Sequence, residues 1–218
     1  MTAHSQQAAE RFDQWATTYG DDRISSWFSH YQDLALNRLP LEREAGFLEV
    51  GCGTGWAVRR AAARLASGPA CGIDISPKMI ERAGEKTAAA DRAKIEFRVS
   101  NAESIPYADQ SFGSILCSFS IHHYEDPVRA LSEMKRVLRP GGSIAIMDSA
   151  RDISLAIWLQ DRWRRYGEKS HVQYYTVAEM ADLIRRAGLT VQGDVYTCKK
   201  FMDRKKTFTG LMLYVCGK

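Results

Sequence analysis

A short apolar run that ends in three alternating glycines and passes straight into a helix-like stretch constrains this chain more than any other feature. LEVGCGTGWA, residues 48–57, is that segment. Glycine tolerates positive φ and carries no Cβ, so a turn built this way lets backbone N–H groups approach a ligand closely. In α/β sheets ligands bind at the carboxyl ends of strands, beside the helix that follows. The segment therefore predicts an α/β sheet with a ligand at this turn.

The pattern around it agrees. Short strand-like runs are expected at Gly46–Val50, Ala70–Ile75, Lys94–Val99, Phe112–Ser118 and Ser143–Asp148, each bounded by turn residues. Helices are expected near 55–66, 77–90 and 127–138. Ser76-Pro77 and Asp126-Pro127 each place a capping side chain before a proline at the first helical position. Alternation of this kind predicts a doubly wound, mostly parallel Rossmann-like sheet.

Two flanking regions differ. Ala8, Phe12, Trp15 and Tyr19 fall on one helical face after a candidate cap at Ser5, and Ile24, Trp27, Phe28, Tyr31, Leu34 and Leu39 form a second stripe that Pro40 stops. So many rings before the first strand suggest a lid as well as a core. Residues 150–175 are aromatic and basic, with Trp158, Trp163, Arg164, Arg165, Tyr166, Tyr174 and Tyr175. Thr176 to Glu179 reads as a capping box opening a helix that Gly188 closes. TVQGDVYT and FTGLMLYVCG, on either side of the basic loop CKKFMDRKK, are expected to add an antiparallel C-terminal edge. One domain over 1–218 follows, divided into an N-terminal helical lid (1–45), a binding core (46–148), a substrate-side insertion (149–175) and a C-terminal helix and strand pair (176–218).

Spacing narrows the ligand. Gly51, Gly53 and Gly55 give G-x-G-x-G, not the G-x-G-x-x-G of dinucleotide sites, and no Gly-Lys-Ser/Thr closes the turn as a P-loop requires. The next strand ends in GIDIS, where Asp74 can accept hydrogen bonds from both hydroxyls of a ribose. A ribose-bearing ligand with no phosphate on the turn is expected.

LEVGCGTG, GIDIS, SNAESIPYADQSFG, SILCSFSIHHYEDP and RALSEMKRVLRPGGSIAIMD, in this order, resemble the successive motifs of class I S-adenosylmethionine-dependent methyltransferases. Within them the chain is similar to the small-molecule group that includes ubiquinone and menaquinone C-methyltransferases, over roughly residues 10–190; FDQWATTYG is also in their style. The resemblance implies S-adenosyl-L-methionine as cofactor, with Glu49, Gly51, Gly53 and Gly55 around its methionine part. It further implies Asp74 on the ribose, Ile75 and Met79 flanking the adenine, and Asn101 and the Ala102 backbone at the adenine edge. The family often has aspartate where Asn101 stands, and the amide can still accept from an amino group. Ser118 and Tyr19 are further candidates near the methionine end.

Methyl transfer from a sulfonium is an in-line displacement, so positioning alone can supply about 7–11 kcal/mol, and rings such as Tyr19 and Trp15 can add cation–π attraction to the sulfonium. His123, then His122, are candidate bases for an acceptor that must lose a proton. After the fourth strand SFSIHH carries no Asn/Asp-Pro-Pro-aromatic motif of DNA amino methylation and no Pro-Cys nucleophile, and Asp148 stands without other carboxylates, so neither nucleic acid nor a metal is expected. The net charge of +4 asks for no polyanionic partner. Arg162, Arg164, Arg165, Lys199, Lys200, Lys205 and Lys206 can greet an acidic substrate or an anionic membrane surface, or simply form a solvated face.

The aromatic segments favour a small aromatic or quinone-like acceptor methylated at O or C. N-methylation of a lipid head group or amine is the alternative among enzymes, and a cofactor-binding sensor is the alternative outside them. Scattered, odd-numbered cysteines and the lack of a signal or spanning segment predict a cytoplasmic protein without stable membrane insertion; either a monomer or a homodimer is compatible with the sequence.

Overall fold

The computed structural model describes residues 2–19, 23–168, 170–199 and 210–218, with the side chains of 23–26 left aside. Two helices, α1 (Ala3–Ala16) and α2 (Arg23–Arg38), precede the first strand. Then come β1 (Gly46–Val50), α3 (Trp56–Ala62), β2 (Ala70–Asp74), α4 (Pro77–Glu85), β3 (Ile95–Val99), β4 (Phe112–Ser118), α5 (Pro127–Val137) and β5 (Leu138–Ser149). The chain ends with α6 (Leu155–Gly167), α7 (Val177–Arg186), β6 (Thr190–Val191), β7 (Tyr196–Cys198) and β8 (Leu211–Gly217).

The strands form one sheet in the order β3-β2-β1-β4-β5-β8-β6, with β7 also on β8. The first five pair in parallel, while β8 runs antiparallel to β5, β6 and β7. The fold class read from the sequence is thus observed, with one refinement at its C-terminal side. TVQGDVYT divides into β6 and β7, and β8 inserts between β5 and these short pieces. The first two residues of FTGLMLYVCG, like Lys200, Lys205 and Lys206, lie outside the described residues.

Two-residue periodicity sends alternate strand residues to opposite faces. Leu48, Val50, Ile115, Cys117, Ile144 and Ile146 pack toward α5 and α7. Phe47, Leu116, Ala145 and Met147 face the other way, against Tyr31, Ala35 and Leu36 of α2 and Ala57, Val58 and Ala61 of α3. This alternation also sends Glu49 into the second layer, where it is fully buried.

Local signals mostly act as read. Ser76 and Asp126 accept the backbone N–H groups of Met79 and Arg129. Thr176 and Glu179 form the reciprocal capping box, and Gly188 takes φ +72° after α7. At the start, however, Thr2 rather than Ser5 caps α1, accepting the Ser5 N–H. Helix α1 is tied down on the sheet domain by Asp13, whose carboxylate accepts from the Ser76 hydroxyl at 2.5 Å and the Lys78 N–H at 3.0 Å. Among the described residues no helix is long and apolar enough to cross a membrane.

Candidate active site

A cleft opens over the carboxyl ends of β1 to β4. Gly51, Gly53, Asp74, Ile75, Met79, Asn101, Ala102 and Ser118 line it from the sheet side. Phe12, Trp15, Tyr19 and Phe28 close it from the N-terminal helices, and Phe119 and His123 from the segment after β4.

The three glycines adopt φ of +77°, +50° and +72°, but they serve different ends. A Cβ on Gly51 would come within 2.5 Å of Ser120, and one on Gly55 within 2.5 Å of the Phe97 ring. Those two glycines let protein pack against the turn. At Gly53 the nearest atoms are those of Tyr19, 4.0 Å away across the cleft. Gly53 therefore presents bare backbone to the cleft.

Asp74 holds this turn in shape. One carboxylate oxygen accepts the Gly53 N–H at 2.8 Å and the other the Ser76 N–H at 2.9 Å. Burial raises its pKa, opposed by these donors. A carboxylate has about four lone-pair directions, so Asp74 keeps acceptor capacity on each oxygen for further donors in the cleft. Asn101 uses its side-chain carbonyl to accept the Glu103 N–H at 3.0 Å, which leaves its amide N–H₂ as the freer group toward an adenine edge.

Not every residue expected around the cofactor reaches the cleft. Gly55 caps α3 behind the turn. Glu49 lies one layer back, where one oxygen accepts from Gln32 Nε2 at 3.2 Å and from Ser118 Oγ at 3.3 Å while the other has no partner. Burial, first of all, pushes its carboxyl up to about 8. Glu49 thus acts on the cleft through Gln32 and Ser118, both of which line it.

The two candidate bases also separate. His123 lines the cleft, with its ring edge-on to Phe12 at 5.0 Å. His122 is buried behind it, and its Nδ1 meets both Asp148 oxygens at 2.8 Å. Desolvation holds both imidazoles below their ordinary range and neutral.

The 149–175 insertion does not build the pocket. Leu155, Trp158, Leu159, Trp163 and Tyr166 on α6 point outward, Trp163 being 72% and Tyr166 84% exposed, and no described residue of the insertion lines the cleft. The α6 cations are mostly engaged: Arg165 pairs with Asp161 at 2.8 Å, and Arg164 donates to the Tyr174 hydroxyl at 2.7 Å. The rings that line the cleft come instead from α1 and the turn after it, from α2, and from Phe119, His123 and Tyr124 after β4. Phe119, with φ +53°, is a non-glycine residue in left-handed backbone, a strain that tends to collect at functional sites. Gln32, Ser120 and Tyr124 also escaped the sequence. Ser120 Oγ lies 2.9 Å from the Tyr124 hydroxyl and donates to the Val50 carbonyl at 3.1 Å, contacts that need the tertiary fold to exist.

Fold, glycine turn and acidic β2 end define a class I methyltransferase. The chain belongs to the S-adenosylmethionine-dependent methyltransferases: residues 48–146 match the model of the methyltransferase domain family. A 27-O-demethylrifamycin SV methyltransferase of Amycolatopsis mediterranei is 34% identical over 187 residues, covering 82% of this chain and 68% of the relative. The ubiquinone/menaquinone biosynthesis C-methyltransferase UbiE of Geotalea daltonii is 35% identical over 159 residues, covering 68% and 65%. The chain thus spans about two thirds of the length of these relatives. A solved S-adenosylmethionine-dependent methyltransferase from Aquifex aeolicus superposes with a TM-score of 0.65 at 22% identity, over 85% of this chain and 88% of that one, and shares the fold.

Proposed function

We propose that the protein transfers a methyl group from S-adenosylmethionine to a small aromatic or quinone-like acceptor, at oxygen or carbon. The observation that carries this is one continuous cleft with two kinds of wall. Gly53, Asp74 and Asn101 supply exposed backbone, a carboxylate and an amide for a nucleoside. Trp15, Tyr19, Phe28 and Phe119 supply contiguous rings, with Trp15 and Tyr19 edge to face at 4.7 Å and Phe28 and Phe119 at 4.9 Å. Flat apolar molecules are matched by such a wall, and a sulfonium beside it gains cation–π attraction.

Displacement at a methyl group needs the acceptor held in line against it, and rings fixed by their neighbours do that, while the proton that an oxygen or carbon acceptor gives up passes to solvent at the cleft. The relatives' names point the same way, one a quinone-biosynthesis C-methyltransferase and the other a 27-O-demethylrifamycin SV methyltransferase. The five described cysteines are free and buried, in keeping with the cytoplasm expected for it.

Incubation with methyl-labelled S-adenosylmethionine and fractionated small-molecule extracts, followed by mass spectrometry, tests the proposal. Label in an aromatic or quinone-like product supports it. Label confined to amines or lipid head groups refutes the acceptor class, and cofactor binding without any labelled product makes the protein a sensor.

A further inference from the structure

Three of the chain's five histidines converge beside the cleft. One ring nitrogen from each of His122, His123 and His171 lies within 4.8 Å of the other two. They arrive from separate places, the turn after β4 and the segment after α6.

Each ring is anchored through its other nitrogen. His122 Nδ1 meets Asp148 at 2.8 Å, His123 Nδ1 meets the Ser170 carbonyl at 2.6 Å, and His171 Nε2 meets Asp161 at 2.9 Å. All three partners are acceptors, so the anchored nitrogens carry the hydrogens. The lone pairs therefore sit on Nε2 of His122, Nε2 of His123 and Nδ1 of His171. The last of these is buried and has no hydrogen-bond partner, a condition that costs roughly 1–3 kcal/mol unless something occupies the site.

We propose that His122, His123 and His171 bind one divalent late first-row transition-metal ion, zinc foremost. Imidazole nitrogen suits zinc, copper, nickel and iron. Tetrahedral zinc with Zn–N of about 2.0–2.1 Å sets its ligand nitrogens about 3.3 Å apart, so the converging nitrogens, now within 4.8 Å of one another, have to close on the ion. Metal-binding histidines characteristically donate their second N–H to a carboxylate or carbonyl, which fixes tautomer and orientation; all three do so here. The nearby cations are answered, Arg165 by Asp161 and both Arg11 and Arg164 by Glu168. Three protein ligands leave a coordination position open, as in catalytic zinc sites. His123 also lines the cleft, so an oxygen or sulfur of whatever occupies the cleft can complete the shell. The absence of clustered carboxylates in the sequence spoke against a metal, but a histidine set assembled across the fold does not depend on them.

Untagged protein, dialysed against a chelator and titrated with Co²⁺ and then Zn²⁺, tests the site without any use of activity. One Co²⁺ per chain with visible ligand-field absorption, displaced by Zn²⁺, is expected. His171→Ala and His123→Ala should each bind at least 100-fold more weakly, and Asp161→Asn roughly 10- to 100-fold more weakly. His30→Ala, on exposed α2 surface, should bind as wild type does. Far-UV circular dichroism checks the fold of each variant. No stoichiometric uptake by wild type overturns the proposal, and so does undiminished binding by a folded His171→Ala or His123→Ala; if His171→Ala fails to fold, wild-type stoichiometry and His123→Ala decide.

Discussion

Truncation of Asp74 to alanine separates two jobs, the turn contacts that the structure shows and the ribose contact that we propose for the same carboxylate. In the empty protein it removes the acceptor of the Gly53 and Ser76 N–H groups, at 2.8 and 2.9 Å. Gly53 borders the cleft, where water can replace the lost partner, but Ser76 is fully buried. One orphaned buried donor costs roughly 1–3 kcal/mol, which lowers the melting temperature by about 2–4 °C per kcal/mol in a chain of this size. In the complex the variant also loses two charge-assisted hydrogen bonds to the ribose, each worth about 1.5–3 kcal/mol. Affinity for S-adenosylhomocysteine should therefore fall between about 10² and 10⁴-fold, read by isothermal titration calorimetry well below the melting temperature. A 2′-deoxy analogue isolates the second job by a double-mutant cycle. Wild type should bind the analogue about tenfold or more weakly than the parent compound, whereas Asp74→Ala should treat the two alike. If the variant binds S-adenosylhomocysteine within threefold of wild type, or still discriminates against the deoxy analogue as wild type does, the ribose assignment is wrong.

The glycines should respond unequally. Gly53→Ala, with open space around it but backbone at φ +50°, should leave a folded protein about 1–2 kcal/mol less stable and with sharply weaker cofactor binding. Gly55→Ala must displace the Phe97 ring and should instead lower the denaturant midpoint of the empty protein. Glu49 makes stability depend on pH. Its folded pKa, about 8, lies above the ordinary 4.5, so its contribution is fully present below 4.5 and is lost as pH rises through 8. Between pH 6 and pH 9 wild type should lose roughly 2–3 kcal/mol relative to Glu49→Gln in urea titrations, and parallel profiles would show that the carboxyl is not protonated in the fold. Phe28→Ala should raise the acceptor KM more than the cofactor Kd, measured by product formation and calorimetry; an equal effect on both would remove this ring from the acceptor wall.

What the sequence disclosed depends on the range over which each signal acts. Ser76, Asp126 and the Thr176–Glu179 pair act within one helical turn, and their caps form as read. The parallel strands repeat a pattern that only a doubly wound sheet buries on both faces, so the architecture was legible too. Distant partners were not. Asp13 reaches Ser76 across 63 positions, and Gln32 reaches Glu49 across 17; neither residue carries a local pattern that announces its partner. The same limit explains the misplaced aromatics. Rings on α1 and rings on α6 look alike in a sequence, but Asp13 pins α1 over the β2–α4 junction, so Phe12, Trp15 and Tyr19 reach the cleft. Helix α6 has no such tie there and presents Trp158, Trp163 and Tyr166 to solvent.

The histidines press the same point further. His122 and His123 stand adjacent in the sequence, where they read as two rival bases. In the fold Asp148 draws one ring inward while the other borders the cleft, and His171, brought up by the return from α6, meets both. Their anchors, Asp148, Ser170 and Asp161, belong to three different segments, so the set exists only once β5 and α6 are in place. A base needs one imidazole with access to a proton on its substrate; three imidazoles with every second nitrogen already tied to an acceptor are arranged for a shared ligand. The insertion after β5 then contributes to the protein through His171 and Asp161 rather than through its rings, and metal stoichiometry in the His171 variant measures that contribution directly.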